Sequence, residues 1–423
     1  MITLDAWRRA ATVIAWLACS AVAHAAADAP AISLNMAVER VLTTHPALQR
    51  SQLNQAASLG DRNGMAQATP WSLAVEVENF AGTGDVSGLD GSETTVGVSK
   101  LFERGDKRES RIALGDANLN LLTTEEHQIR INVAAKVARA FIATLAEQRR
   151  FEVLEAGRLL AESIRDQVGR RVEVGRSAEA ELATAEIAVA RAGATSRRSA
   201  ATLAKRQQHL AAALAEETPS FGELLGDIEL LPQLSDFEQL KTKLDANPEL
   251  ALLAQQQIVR NAELSLAQAN QHADFTFGAG VRQLAGPNDT ALVVSFSMPL
   301  GQKRRATPLI EAARNRREST PLLQSERRLE LMAELFALDS DLRAVADEYR
   351  VLNEDILPVA QTAVRLYQTG FERGRYPLSE LNTAQRTLLE TQRDAINIAE
   401  QYQQLFITLT TVLGEIPGRG ALP

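Results

Sequence analysis

Histidines and carboxylates are the side chains from which a cation site or an acid–base pair would be built, and in this chain they are scattered. His45, His127, His209 and His272 stand far apart, whereas a bound metal needs several ligands at suitable spacing. His272 and Asp274 are the nearest approach to a ligand pair, with a satisfied or solvated histidine as the plain alternative. Met36, Met65, Met298 and Met332 do not cluster either. There is no G-x-S-x-G, no P-loop and no G-x-G-x-x-G after a strand. No catalytic constellation, cofactor site or dedicated metal site follows, so the chain does not read as an enzyme. What remains is fixed charge: Glu181 and Glu380, and a basic cluster of Lys107, Arg108, Lys303, Arg304 and Arg305.

Both sets occupy matching places in an internal repeat, the first thing to seek in a long chain. Gly370–Glu390 reads GFERGRYPLSELNTAQRTLLE, and Arg171–Ala190 reads RVEVGRSAEAELATAEIAVA. With Gly374 set on Gly175, Glu380 falls on Glu181, Leu381 on Leu182 and Ala384 on Ala185 without a gap. Each segment reads as the tip of a helical hairpin. The glycine ends one helix because it tolerates positive φ. Ser177 is a candidate N-cap for the next helix, and Pro377 suits a first turn.

The positioning elements follow from composition and periodicity. The chain has 423 residues, only 4% aromatic, and a net charge of −8. Long runs of Ala, Leu, Glu, Gln and Arg favour long helices with thin cores, and the mild acidity argues against a nucleic-acid partner. Residues 1–25 read as a secretory signal: Arg8 and Arg9, an apolar Ala10–Val22 core, then Ala23-His24-Ala25. The single cysteine, Cys19, would leave with it, and the mature chain would hold no disulfide. Alternatively Leu17-Ala18-Cys19 is a lipidation site, with Trp16 where that pattern wants an aliphatic residue.

The first repeat is placed at 26–216. Ser33 caps a helix from Leu34, and a second helix runs from Pro46 to about Gln67. Period-two runs then predict strands at about 71–80 and 93–102, followed by a long helix, the first tip and a return helix. Residues 217–236, with Pro219, Gly222, Gly226 and Pro232, read as a linker or equatorial segment. The second repeat, 237–415, restarts at Asn247-Pro248-Glu249-Leu250, an echo of His45-Pro46-Ala47-Leu48. It repeats the order with strands at about 273–284 and 290–300, a helix climbing to Thr369, the second tip and a last helix; 416–423 is a tail. Gly301-Gln302-Lys303-Arg304 echoes Gly105-Asp106-Lys107-Arg108 at the strand-to-helix joints.

The expected fold is mainly α with a small β part. An arm of ~65 helical residues reaches ~100 Å, which suits a tube rather than a compact core. No run has the ~18 apolar residues of a membrane helix, so any membrane crossing must use strands. Strands cross only as closed barrels of about 8 or more, so four strands must be shared among several chains. Two soluble β-hairpins on a coiled coil are the alternative.

The joints FERGDKRESR and PLGQKRRAT, the HPAL and NPEL pair and the tip GFERGRYPLSELNTAQRTL resemble those of the TolC-type outer-membrane efflux proteins, and within them the cobalt–zinc–cadmium branch. The resemblance covers nearly the whole mature chain. It implies a homotrimer with a shared 12-stranded barrel in the outer membrane and a periplasmic α-helical tunnel. It also implies a periplasmic adaptor and a proton-driven inner-membrane pump as partners. The expected role is a passive conduit for heavy-metal cations; a soluble periplasmic coiled coil, or the same channel serving a drug pump, is the alternative. By resemblance, Arg171, Gly175, Gly370, Gly374 and Leu381 belong to adaptor-docking tips. Glu181 and Glu380 would ring the periplasmic aperture, where copies of an acid attract cations, or else are ordinary solvated residues. The tyrosine and arginine that latch some relatives closed are Phe371 and Tyr376 here, and a second acidic position is Thr383. Gly105, Lys107, Arg108, Gly301, Lys303 and Arg304 would place cations against lipid phosphates at the membrane's inner rim, or form a solvated charged surface.

Overall fold

The computed structural model describes residues 30–86 and 88–418. The expected signal over 1–25, with Cys19, lies outside the described residues. In chain order, β1 (Ile32–Ser33) leads into α1 (Leu34–Thr44) and α2 (Pro46–Met65), then β2 (Trp71–Glu78), β3 (Glu93–Phe102) and α3 (Lys107–Glu173). After the first tip come α4 (Glu179–Ala213), β4 (Leu224–Leu225), α5 (Phe237–Lys243) and α6 (Pro248–Ala269). The chain continues through β5 (Phe275–Leu284), β6 (Asp289–Ser297), α7 (Gln302–Arg350), α8 (Leu357–Glu372) and α9 (Leu378–Val412).

The caps show where sequence logic meets the backbone. The Ser33 Oγ accepts the Met36 N–H at 3.4 Å, satisfying one of the donors a helix start leaves unpaired. Ser177 does not do this. The first residue outside α4 is Ala178, with no side-chain cap, and the Ser177 hydroxyl has no hydrogen-bond partner. Pro377 stands at the N-cap of α9 rather than inside its first turn. The arm expected to climb unbroken to Thr369 is interrupted: Val351–Ile356 forms a π turn between α7 and α8. Pro358 follows it. Proline has no N–H for the carbonyl four residues back, and the Leu357 N–H instead reaches five residues back, to Leu352, the wider π spacing.

Two compact units are present, and each draws on both halves of the sequence. Of the described residues, the helical unit holds 30–49, 127–248 and 330–418. Its core joins Leu34, Val38 and Val41 of α1, Phe141, Ile142 and Leu145 of α3, Leu210 of α4, and Ile396, Ala399 and Ile407 of α9. Residues 217–236 are more than a linker. Ile32 and Ser33 pair in parallel with Leu224 and Leu225, and Phe221, Leu224 and Ile228 enter the core. The Gln148 side chain clamps Leu224, donating to its carbonyl at 3.3 Å and accepting its N–H at 3.1 Å. The Tyr402 hydroxyl donates to the Pro232 carbonyl at 2.6 Å.

The second unit holds residues 50–126 and 249–329. It carries one antiparallel sheet in the order β2-β3-β5-β6. At the joint between β3 and α3 the chain turns through Gly105 (φ +74°) and Asp106 (φ +55°). A Cβ on Gly105 would lie 2.3 Å from the His272 ring, so only glycine fits there. Asp274 accepts the Arg104 N–H at 3.0 Å and pairs with the Lys107 ammonium at 2.7 Å. Lys107 is buried, which corrects the expectation that it meets lipid phosphates or solvent. Its charge ties the start of α3 to the segment entering β5. Asp274 is thereby engaged by a cation, so it does not form a metal-ligand pair with His272. Arg108 donates to the Ala66 carbonyl at 2.7 Å, and Arg111 grips Glu103 at 2.5 and 2.8 Å. Gly301 (φ +78°) turns the second joint, where Lys303 and Arg304 are exposed.

Replacing Lys107 strands a partly buried carboxylate. Lys107→Met is expected to destabilise the protein by about 1–3 kcal/mol, and Lys303→Met at the exposed joint by no more than about 0.5 kcal/mol. Guanidinium unfolding of both variants decides; equal midpoints would show that the Lys107–Asp274 pair contributes nothing.

Candidate functional site

The sheet separates its side chains by polarity. The register sets Leu73 beside Val98, Val98 beside Ala279 and Ala279 beside Val294; one row away it sets Val75, Val96, Val281 and Leu292 side by side. Directly paired residues share a face, so one face is apolar across all four strands. That face is exposed, with Leu73 at 73% and Leu292 at 77%. A cluster of single surface apolars is ordinary, but a contiguous apolar sheet face marks an interaction surface. At the joint end it is aromatic: Phe102 stacks on Phe275 at 5.1 Å, and Phe275 lies 5.7 Å from Phe296. Trp71 lies there too, with the Lys100 ammonium 5.3 Å from its ring centre.

The opposite face is mostly small and polar, with Leu101 and Val293 as its large apolar members on β3 and β6. It carries Ser99, Gly278 and Ser295 in one row and Gly97 with Gly280 in the next. A Cβ on Gly280 would sit 2.8 Å from the Val96 carbonyl oxygen and 2.9 Å from the Gly97 Cα. The backbones crowd on this side, so glycine is required where β3 and β5 approach. At the loop end of the same face, Arg282 reaches Glu93 at 2.6 Å and Glu78 at 3.0 Å.

The two hairpin tips lie in the helical unit and share one backbone solution. The Gly175 N–H bonds the Val172 carbonyl and the Arg176 N–H the Arg171 carbonyl; the Gly374 N–H bonds Phe371 and the Arg375 N–H bonds Gly370. Both glycines have positive φ, +69° and +72°. This is the Schellman closure of a helix end. The side chains then differ in a complementary way. At Gly370 a Cβ would lie 2.1 Å from the Tyr376 ring. That ring packs against Tyr367 at 5.1 Å. The equivalent of Gly370 is Arg171, which donates to the Phe371 carbonyl at 2.6 Å and lies 4.6 Å over the Phe371 ring. Arg171 therefore binds the first tip to the second, a contact that the sequence did not reveal because its partner is two hundred residues away.

Leu381 is fully buried with Ile164, Val168, Ala185, Phe371 and Leu378. It holds the hairpins together and offers no exposed docking surface, a correction to its expected role. Glu181 and Glu380 each sit one turn inside the returning helix, their N–H groups bonding Ala178 and Pro377. Glu380 is exposed, Glu181 half-buried. Beside Glu380, a cavity of about 320 Å³ is lined by Ala360, Ala363, Tyr367, Thr383, Ala384 and Thr387. Among the described residues, no group of three or more His, Cys, Asp or Glu could hold a metal ion, and no helix is long and apolar enough to cross a membrane.

Residues 240–415 match the model of the family described as "Outer membrane efflux protein". The chain is 23% identical over 321 residues to the cobalt-zinc-cadmium resistance protein CzcC of Cupriavidus metallidurans, covering 76% of this chain and 77% of that one. It is 24% identical to the nickel-cobalt-cadmium resistance protein NccC of Alcaligenes xylosoxydans xylosoxydans, covering 74% and 72%. Among solved structures it is similar to CusC, with a TM-score of 0.74, 13% identity and coverage of 90% and 92%. It is also similar to the outer membrane protein VceC of Vibrio cholerae, with a TM-score of 0.69, 15% identity and coverage of 90% and 96%. The match of residues 240–415 to the outer membrane efflux protein model, the similarity to metal-resistance relatives over three quarters of the chain and the shared fold over nine tenths agree, and the chain resembles the outer membrane efflux proteins over most of its length.

Proposed function

We propose that this chain is one subunit of an outer-membrane conduit through which a tripartite pump exports heavy-metal cations from the periplasm. The observation that carries the reading is the sheet: four strands, an exposed apolar face, a crowded, mostly polar face and two edge strands without partners among the described residues. Such a sheet is complete only when other copies supply the missing neighbours. Three copies give twelve strands, within the range of closed barrels. The aromatic cluster at the joint end suits the membrane–water interface, where amphipathic rings gather. The helical hairpins then form the periplasmic tunnel.

The metal cargo is inferred from relatives named for cobalt, zinc, cadmium and nickel resistance. A proton-driven inner-membrane pump would supply the work and a periplasmic adaptor would meet the tips at Arg171, Gly175, Gly370 and Gly374. Arg108, Lys303 and Arg304 stay available to lipid phosphates; Lys107 does not. The exposed Glu380, repeated in each copy, would ring the entrance with Glu181 near it and favour cations. A soluble periplasmic coiled coil is the competing reading, and the exposed apolar sheet face speaks against it.

Two experiments test this. A charge at mid-membrane on a lipid face costs about 2–4 kcal/mol, so Val294→Arg should prevent assembly into the outer membrane while Ser295→Arg, on the polar face, is tolerated. Equal yields of membrane-inserted protein would mean that the sheet does not face lipid. In planar bilayers, Glu380→Gln should reduce cation selectivity and weaken block by multivalent cations added at the tip side. Unchanged selectivity and block, with Glu181→Gln added, would remove these acids from the aperture.

A further inference from the structure

Charge is unevenly shared between the two flanks of the helical unit. α3 lies between α4 and α9: Ser196 and Ser199 of α4 donate to Glu155 and Glu147 of α3 at 2.6 and 2.8 Å, and Arg150 of α3 donates to Asn397 of α9 at 2.9 Å. The end of α7 meets α9 through Tyr349, which shares a core with Ile396 and Ala399, and α8 packs on α9. The outer elements are thus α4 on one side and the α7–α8 arm on the other.

Between 187 and 210, α4 carries Arg191, Arg197, Arg198, Lys205 and Arg206 and no carboxylate. All five are exposed, and none makes an ion pair among the described residues. At about 3.6 residues per turn, Ile187, Arg198 and Lys205 fall opposite the residues that α4 buries, Ala185, Ser196, Ser199 and Leu210. The other flank has the reverse sign. Asp341, Asp347, Glu348, Glu354 and Asp355 are all exposed. The two arginines among them, Arg343 and Arg350, are held by Asp339 and Asp347 at 2.9 Å.

The two patches also lie at the same height. Measured along the helices at about 1.5 Å per residue, Arg191 to Lys205 lie about 24–45 Å from the tip glycine Gly175. Asp355 to Asp341 lie about 28–50 Å from the tip glycine Gly374. Ile187 and Val359, both exposed, stand at about 18 and 22 Å on the same scale.

We propose that the cationic face of α4 in one copy packs against the acidic α7–α8 arm of a second copy, with Arg198 and Lys205 facing the stretch from Asp341 to Glu348. This rests on the shared-channel reading above and names its seam. A surface that pairs with a different surface of the next copy makes a heterologous contact, which closes into a ring when the rotation permits. Exposed ion pairs are individually weak. A row of them still sets register and rejects wrong partners, because like charges would meet in any other alignment. The seam is accordingly weakened by salt, which screens exposed charges over about 10 Å at 0.1 M.

Carbodiimide coupling tests the contact in the native assembly, since it joins a carboxylate to an amine only where they touch. Lys205 is the sole lysine of α4. In membranes from cells expressing two isotopic forms of the full chain, mass spectrometry should find Lys205 linked to Asp341, Asp347 or Glu348 in mixed-isotope peptides. Arg198→Glu with Lys205→Glu should lower the oligomer fraction after extraction by about tenfold or more. Adding Asp341→Lys and Glu348→Lys should restore it, a rescue that misfolding would not allow. An intact oligomer with no such link and no loss on charge reversal overturns the seam and leaves the channel reading standing. A wild-type chain that is monomeric when extracted overturns both.

Discussion

Unpaired backbone is the constraint on which the rest of this structure depends. Among the described residues, β2 and β6 each present an outer row of N–H and C=O groups with no neighbouring strand. An open edge invites pairing with any exposed strand. In hydrocarbon each orphan group costs several kcal/mol. The exposed apolar face adds the same demand from the side chains. Neither is met among the described residues of one copy, and this is the ground for the proposal that several copies share the sheet. The glycines at 97 and 280 bear on the sheet too, since side chains there would force β3 and β5 apart on the polar side.

The joints and the tips are each closed by contacts between segments remote in sequence. Asp274 receives a backbone N–H from one half of the sequence and the Lys107 ammonium beside it. The two strand pairs therefore start from one fixed corner. Within the helical unit, Arg171 and Phe371 join tips that a duplication would otherwise leave as separate copies. The repeat is thus symmetrical in backbone and asymmetrical in side chains. Where the first tip has Arg171 and Ser177, the second has Gly370 and Tyr376. A large ring in one copy is matched by the absence of a Cβ, and in the other a long cation crosses to the neighbouring tip.

Much of the fold was legible because its signals are local. Alternation in Leu73-Val75-Val77 and Leu292-Val294-Phe296 marked strands, and Gly175 and Gly374 marked turns that need positive φ. Ser33 was legible as a cap for the same reason. What escaped depends on partners remote in sequence. Lys107 looked like a surface cation because Asp274 is far along the chain. Leu381 looked like a tip residue because its burial needs α3, α4 and α8 around it. Ser177 failed as a cap because α4 begins later, at Glu179. The π turn had a local signal in Pro358, hidden by the helical pattern on both sides.

That π turn has a consequence for the winding of its hairpin. Buried positions on the α7 side fall at Leu342, Val345 and Tyr349, and on the α8 side at Ala360, Val364 and Phe371. Tyr349 and Ala360 are eleven residues apart, where an unbroken heptad would give seven or fourteen. Eleven is the spacing of a stutter, at which a left-handed supercoil locally unwinds. The two arms of this hairpin therefore cannot wind about each other at one pitch from end to end. The change of phase falls at residues 351–356, where the hydrogen bonds take the wider π spacing.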